Sequence, residues 1–283
     1  AVFGRLPIPF LTFAGKVNFL SVVLHALSIV LFYLCANLLL KKLIKDKKIV
    51  TITAFIGAIS LSISFSFWFY GLFAEVFPLS NFFTILTFYF LLLWEKEHSK
   101  GKKINWKKER FLLAAATSFG LGLSNQQAIL MMAPLYGIFV LWTDWKIFRH
   151  WKLIVTAVLV LSFFILLPYV YVFIAASRGP VLNWENVHDL NGLYRLITRQ
   201  IYAEADPHGL AYGTRVHKVN SFLEAQRFFQ FLFRNFSYQI ASLGVVGAFF
   251  LLVKRRWKEF AMLFIGLSGG GLIYELLAPL SIN

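Results

Sequence analysis

Glu75 is the residue of this sequence whose position most strongly suggests acid–base or ligand-binding chemistry. It is the only charged residue between Lys48 and Glu95, a stretch of 46 residues. An ionised carboxylate is costly to hold near hydrocarbon, so an isolated acid in an apolar run indicates a functional site by default. The structural alternative is an acid at the mouth of a helix pair, capped by backbone N–H groups or paired with a loop cation.

Arginines form a second group of candidates. Arg178 directly follows a long apolar stretch, at the level where a lipid headgroup would lie. Arg195 and Arg199 are four residues apart, so they share one face of a helix. A guanidinium suits the oxygens of phosphate or pyrophosphate, which it can bind through two hydrogen bonds. The alternative is a cation that extends to lipid headgroups without recognising a substrate.

Uncharged polar residues complete the candidate set. Asn125 and Gln126 lie in a short polar turn, where they could hydrogen-bond a sugar or serve only as a turn. Asn183 and Trp184 follow Arg178 closely, and Trp184 is suited to the membrane–water interface.

The histidines do not show the spacing of metal ligands, and no metal site is predicted. His25 lies in an apolar stretch and is expected to hydrogen-bond between helices. His98 and His150 are expected in solvated loops. A base or divalent-ion role for His188, His208 or His217 stays open, as does any requirement for a divalent metal.

Composition shows which solvent surrounds the elements that carry these residues. The chain is 59% hydrophobic, 18% aromatic and only 14% charged, with 32 Phe among 283 residues. A soluble domain is closer to one quarter charged. Lipid must therefore be the solvent for much of the surface.

The net charge of +15 is concentrated between the apolar stretches. Nineteen of the 28 Lys and Arg fall in four short clusters, at residues 41–48, 95–110, 143–152 and 254–259. This is the positive-inside pattern of a multi-pass membrane protein, so nucleic acid is not an expected partner. Cys35 is the single cysteine, which excludes an internal disulfide.

The apolar stretches predict an all-α, polytopic integral membrane protein. About eight transmembrane or re-entrant helices are expected, because a full span needs about 20 residues. Residues 111–142 are short for two spans and are expected to form two short helices or a re-entrant pair. All four basic clusters then fall on the cytoplasmic side. The stretches are residues 17–40, 49–94 (two spans), 111–142, 153–176, 237–253 and 260–280.

Residues 177–236 are predicted to form a loop on the outer face that carries amphipathic helices. Asp189 is suited to cap a helix running to about residue 202. Leu190, Leu193 and Ile197 fall on one face of that helix, as expected for a helix lying on the membrane surface. An aromatic helix is expected to follow and to lead into the next span.

Three stretches resemble one family of membrane proteins: residues 67–81, 120–127 and 180–184, with residues 4–6 and 17–21 fitting its early region. The most characteristic are Ala-Glu-Val at 74–76 and Leu-Asn-Trp at 182–184. The family is a bacterial group of multi-pass proteins long labelled as a domain of unknown function. Its animal relative is a transmembrane protein O-mannosyltransferase, and both are similar to GT-C glycosyltransferases.

The resemblance implies glycosyl transfer on the outer or lumenal face. The donor would be a polyprenyl-phosphate-linked sugar, and the acceptor a protein hydroxyl or a glycan. Glu75 would hold the acceptor, assist the catalytic base or orient an arginine. The substrate-binding residues would be Arg178, Asn125, Gln126, Asn183, Trp184, Arg195 and Arg199. Residues 1–283 would form one GT-C-like membrane domain.

The sequence departs from the family pattern at three points. Family members carry an acidic Asp-x-Gly-Glu motif in the first outer loop, and its Asp, the expected catalytic base, has no counterpart here. Gln126 stands where the family often has His, and Glu185 where Gly is common. We therefore expect this chain to be a fragment that lacks an N-terminal span and the first outer loop.

Two other classes of function stay open. A transporter or lipid flippase would need polar residues along a path through the membrane, and such proteins commonly show internal repeats, which are not visible here. A noncatalytic membrane scaffold would lack converging polar side chains. Residue usage rich in Lys, Ile and Phe favours a bacterial inner membrane, with the site on its periplasmic or outer face.

Overall fold

The structure, a computed structural model, describes residues 7–98, 105–179, 187, 189–198 and 221–269, apart from the side chains of residues 221, 222 and 224. The described part of the chain contains helices and no strand. The α-helices are α1 (Phe13–Leu40), α2 (Lys47–Ser62), α3 (Phe65–Gly71), α4 (Val76–Glu97), α5 (Trp106–Asn125), α6 (Ala133–Thr143), α7 (Trp151–Ala176), α8 (Leu190–Ile197), α9 (Ser221–Val253) and α10 (Trp257–Leu267). Two 3-10 helices, Gln127–Met132 and Trp145–Arg149, flank α6.

Four helices, α1, α4, α7 and α9, are long and apolar enough to cross a membrane. The pair α2 and α3 adds a fifth candidate span, bent by 63° at the break between the two helices. The protein is thus an all-α, polytopic membrane protein, as predicted. The expected number of eight is not confirmed, because α6 and α10 have only 11 residues each and α5 begins with a charged turn.

Short polar side chains fix where several helices begin. The Thr12 hydroxyl accepts a hydrogen bond from the Gly15 backbone N–H at 3.1 Å, which starts α1. Asp46 and Asn105 do the same for α2 and α5. Such caps satisfy backbone donors that have no partner in the first turn. The predicted cap at Asp189 is confirmed, since its Oδ1 accepts from the Gly192 N–H at 2.6 Å.

The helices pack around α4, which contacts α1 on one side and α5 on the other, while α5 contacts α7. Gly120 marks the crossing of α5 and α7. A Cβ atom at this position would lie 2.7 Å from the Leu161 carbonyl oxygen. The two backbones approach this closely because Gly120 has no side chain, as at other close crossings of membrane helices.

The predicted basic clusters meet at one end of the bundle, which we name the basic end. Lys42 after α1 and Lys258 on α10 both bind the carboxylate of Glu95 near the end of α4. The Lys258 Nζ lies 2.6 Å from Glu95 Oε1. One carboxylate between two ammonium groups ties three helices together. The ends that carry Glu75 and Arg178 lie opposite, and we name that side the Glu75 end.

A second ionic cluster at the basic end is buried. Nδ1 of His98 lies 2.9 Å from Glu109 Oε1, and its Nε2 lies 2.9 Å from Asp144 Oδ2. The Trp94 indole N–H donates to the other Glu109 oxygen at 2.6 Å. The three ionisable side chains are 5%, 4% and 5% exposed. The expectation that His98 is solvated was wrong, because acids from two other segments enclose it.

Both ring nitrogens of His98 take part in this cluster. One faces a Glu109 oxygen and the other an Asp144 oxygen, so a single ring bridges two acids from different segments. The cluster thereby joins the end of α4, the first turn of α5 and the end of α6.

Removing one carboxylate from this cluster should destabilise the fold strongly. In Glu109→Ala, the His98 ring and the Trp94 N–H each lose a buried hydrogen-bond partner, and each group left unsatisfied costs about 1–3 kcal/mol. The free energy of unfolding would be measured by denaturant titration in detergent micelles. The control is Glu97→Ala, whose exposed carboxylate lies 3.9 Å from Arg110 and should contribute less than about 1 kcal/mol. Equal losses in both variants would contradict a buried ionic network.

Acid should weaken the same cluster through Asp144. Burial alone would raise the pKa of Asp144, but hydrogen bonds from His98 and from the Lys146 backbone N–H lower this pKa overall. The resulting stabilisation is complete above the pKa of an unfolded Asp, about 3.9, and is lost as the pH falls through the lower folded value. Thermal unfolding from about pH 6 down to about pH 3 should therefore show a smaller acid-induced loss in Asp144→Asn than in the natural chain. Identical slopes would show that Asp144 does not contribute.

Candidate functional site

Glu75 occupies the N-cap position of α4 at the Glu75 end. Its side chain is exposed and accepts no capping hydrogen bond from the helix. It has no ion-pair partner among the described residues. The structure therefore shows neither of the two structural roles expected for an isolated acid in an apolar sequence.

The backbone around Glu75 is held in place by the first helix. The Asn18 Oδ1 accepts from the Ala74 backbone N–H at 3.0 Å, which joins α1 to the loop before α4. The Glu75 N–H donates to the Phe73 carbonyl at 2.9 Å. The N-terminus of a helix is a favourable place for a carboxylate, because the helix dipole attracts negative charge there. Glu75 is thus a positioned carboxylate that is free to accept hydrogen bonds from a ligand.

Asn125 and Gln126 lie beside this loop, at the end of α5. The Asn125 Nδ2 donates to the Val76 carbonyl at 3.0 Å and approaches Ser80 Oγ at 3.4 Å. The Ser80 hydroxyl donates to Gln126 Oε1 at 2.6 Å. These bonds join the end of α5 to the first turn of α4. Both amides therefore position the helix start that carries Glu75, whether or not they also contact a substrate.

Arg178 lies just beyond the last residue of α7 and is exposed. It makes no side-chain hydrogen bond or ion pair with the described residues. Gly179 follows with a φ of +60°, a conformation that glycine adopts without strain. The structure places Arg178 at the Glu75 end but records no contact between Arg178 and Glu75.

A side-chain hydrogen bond connects the short helix α8 to the bundle. The Gln127 Nε2 donates to the Ile197 carbonyl at 2.6 Å, at the end of α8. Leu190 and Tyr194 are 77% and 56% exposed, as expected for a helix that meets lipid. Arg195 is half-buried on this helix. Asn183, Trp184 and Arg199 lie outside the described residues.

His25 lies deeper, between α1, α3 and α4. It is buried, its Nε2 lies 3.5 Å from the Asn81 amide nitrogen, and its ring contacts Phe67 edge-on at 4.3 Å. This confirms the expected polar contact between helices. Within the described ranges, no group of three His, Cys, Asp or Glu side chains could hold a metal ion.

Three residues with clear roles at this end were not singled out from the sequence. Asn18 holds the Glu75 loop, Ser80 connects Asn125 with Gln126, and Gln127 holds α8. A signal was available, because each is a polar side chain in a mainly apolar stretch. Such residues in membrane helices usually hydrogen-bond a neighbouring helix.

Comparison with known proteins identifies related chains. The family model "Protein O-mannosyl-transferase TMEM260 N-terminal domain" matches residues 1–148. The "Protein O-mannosyl-transferase tmem260" of Dictyostelium discoideum is 22% identical over 272 residues, covering 92% of this chain and 32% of that protein. The chain thus spans about a third of the length of this curated relative. No solved structure gives a significant match.

The family model covers more than half of the chain, including Glu75, Asn125 and Gln126. Its match begins at residue 1 and ends shortly before α7, so Arg178 and α8 lie beyond it. The relation to the animal O-mannosyltransferase inferred from residues 67–81 and 120–127 is confirmed by both matches. The chain belongs to the family defined by the protein O-mannosyl-transferase TMEM260 N-terminal domain.

Proposed function

We propose that this chain is the membrane domain of a glycosyltransferase that transfers a sugar from a polyprenyl-phosphate-linked donor to a protein hydroxyl. The family and the name of the Dictyostelium relative support the transfer reaction. The candidate spans support a lipid-linked donor, because such a substrate stays in the membrane. Residues 1–283 would act as one unit, with 177–236 as its outer-face loop.

The observation that carries this proposal is the state of Glu75. An ionisable residue within an apolar membrane segment is a functional-site hypothesis by default, and Glu75 is the only charged residue between Lys48 and Glu95. Glu75 accepts no capping bond and has no ion partner among the described residues. An acceptor hydroxyl or a sugar hydroxyl can fill that position as a hydrogen-bond donor.

The reaction requires a base and a means to stabilise the leaving phosphate. A carboxylate removes the proton of the acceptor hydroxyl, whose oxygen bonds to the anomeric carbon as the bond from that carbon to the phosphate oxygen breaks. The Asp of the family's acidic motif would be that base, and Glu75 would hold the acceptor or orient the base. Arg178 would bind the phosphate and offset its charge as it leaves.

The proposed donor site extends from Arg178 along the outer-face loop. A guanidinium at the end of a span lies at the depth of a lipid phosphate, and Arg178 is not committed to an ion pair in the described structure. Asn183, Trp184, Arg195 and Arg199 would complete the site around the phosphate and the sugar. Asn125 Oδ1 and Gln126 Nε2 make no hydrogen bond between helices in the described part of the chain and would face the sugar.

Substitution of Glu75 or Arg178 should lower sugar transfer without changing the stability of the fold. Glu75→Gln and Arg178→Ala, made in the protein as the cell produces it, should each lower sugar transfer by roughly tenfold to a hundredfold, the effect of losing one charged hydrogen bond. Transfer from a polyprenyl-phosphate sugar would be measured in membranes, with thermal unfolding as the check on folding. Matched controls are Glu97→Gln and Arg149→Ala, exposed charges at the basic end. Full activity in both site variants would exclude these assignments.

Orientation gives a separate prediction. By the positive-inside rule, the basic end should face the cytoplasm and the Glu75 end the periplasm or lumen. Cys35 is buried, so Cys35→Ala gives a background without thiols. In that background, a thiol-reactive reagent that cannot cross membranes should label Ser177→Cys from outside the intact membrane. Lys45→Cys at the basic end should be labelled only after permeabilisation, and the reverse pattern would contradict the proposed face.

A further inference from the structure

An open groove runs between α1 and the two helices α9 and α10. It has a volume of about 730 Å³ and a lining that is almost entirely apolar. Among the described residues that line it, only Glu259 is charged. Lining side chains and glycines include Ala36, Leu40, Gly244, Ala248, Met262 and Gly266.

α9 leaves this groove open because it packs loosely against the rest of the bundle. Its contacts with other helices are made with α2, α3 and α10. Leu243 and Phe249 are 70% and 65% exposed, and a Cβ atom at Gly244 would meet no atom within 4 Å. In a bilayer such a space is filled by an apolar chain, because water is excluded from it.

Cations gather where the groove reaches the basic end. Leu251 lines the groove, and Lys254 follows three residues later, directly after the end of α9. Met262 also lines it, and Lys258 lies four residues earlier on the same face of α10. Lys42 lies at the same opening, because Leu40 and Leu43 on either side of it in the sequence line the groove.

The charges at this opening do not balance. Lys42 and Lys258 share the single carboxylate of Glu95, which leaves one positive charge uncompensated. Their side chains are 38% and 28% exposed and can reach a further anion. With Glu259 and the exposed Lys254, Arg255 and Arg256, five cations face two carboxylates around the opening.

The turn between α9 and α10 contains a residue with a strained backbone conformation, and that residue is basic. Arg255 has a φ of +53°, where glycine would sit without strain. The Arg256 backbone N–H closes the turn on the Leu251 carbonyl at 2.8 Å. Trp257, 60% exposed at the start of α10, is a side chain typical of the headgroup layer. The turn therefore presents basic side chains next to a residue suited to the depth of lipid phosphates.

We propose that this groove binds an anionic phospholipid from the leaflet at the basic end. One acyl chain lies between α1, α9 and α10, and the phosphate lies against Lys42, Lys258 and the turn of residues 254–256. Basic openings between membrane helices bind anionic headgroups in this manner. The site lies at the opposite end from Glu75 and takes a different ligand from the proposed sugar donor.

Phosphatidylglycerol is the probe, titrated against the full chain in detergent micelles, with bound lipid counted by native mass spectrometry. We expect phosphatidylglycerol to bind more tightly than phosphatidylcholine. The double variant Lys254→Gln with Arg256→Gln should weaken this binding by about 25-fold, since each cation contributes about fivefold near an anionic phosphate. Lys258 and Lys42 are left intact because they hold Glu95.

Two matched controls separate a built site from general attraction. Lys146→Gln with Arg149→Gln removes the same charge from exposed positions of the basic end away from the groove, and should leave the affinity unchanged. Gly244→Phe fills the groove and should reduce binding with all cations present. Gly247→Phe, at another open glycine of α9 that does not line the groove, should not.

Each contrary result overturns the proposal in its own way. Equal weakening by both charge variants would indicate general surface attraction. Displacement by inorganic phosphate, with no effect of Gly244→Phe, would indicate a site for a free anion. Tighter binding of undecaprenyl phosphate would assign the groove to the sugar donor, and no bound lipid would indicate that protein fills it. Circular dichroism verifies folding. If the double variant unfolds, the two single charge variants replace it, and each is expected to lose about fivefold in affinity for phosphatidylglycerol.

Discussion

Hydrocarbon offers no hydrogen-bond partner to a backbone amide, and this constraint governs the whole structure. It explains why the described chain is helical and why hydroxyl groups within the spans bond back to their own helix. Ser28, Ser60 and Thr87 each donate to the carbonyl four residues earlier. Where helix α5 stops at Asn125, side-chain amides and the Ser80 hydroxyl take over the connection to α4.

Three acidic side chains are paired at one end of the bundle, whereas Glu75 at the other end is unpaired among the described residues. At the basic end, Glu95 is bonded to two lysines, and Glu109 and Asp144 are bonded to His98, so all three acids hold helices together. At the opposite end, Glu75 and Arg178 are exposed and have no such partners within the described ranges. The first set stabilises the fold, while the second remains available to a ligand. Under the proposed function, this separation of roles would allow charges at the Glu75 end to be used in chemistry without weakening the bundle.

The sequence predicted those features that depend on local pattern. The membrane class followed from composition, the Asp189 cap from residue type, and the break near Gln126 from a polar turn between apolar runs. The apolar start expected at residue 237 coincides with the non-helical Ser237 inside α9. The number of spans was not predicted in this way. Helix α5 is too charged, and α6 with its 3-10 turn too short, to be recognised as a span from length and hydropathy.

Partnerships between distant residues could not be predicted in this way. His98 is 46 positions from Asp144, and no local pattern shows that the two meet in a buried cluster. The same holds for Gln127 and Ile197, 70 positions apart. Residue type indicated that Glu75 and Arg178 were unusual, but only the arrangement of helices shows that Glu75 has no structural partner among the described residues.

The close crossing at Gly120 has a geometric consequence for the far end of α7. From Leu161 to Arg178 the chain rises along one helix for about 25 Å. If α7 tilts about its contact with α5, the displacement grows along this stretch with the distance from the crossing. A tilt of about 10° at the crossing would carry the Arg178 end of this stretch sideways by about 4 Å. The absence of a side chain at Gly120 therefore influences the position of the Arg178 guanidinium, more than four helical turns away.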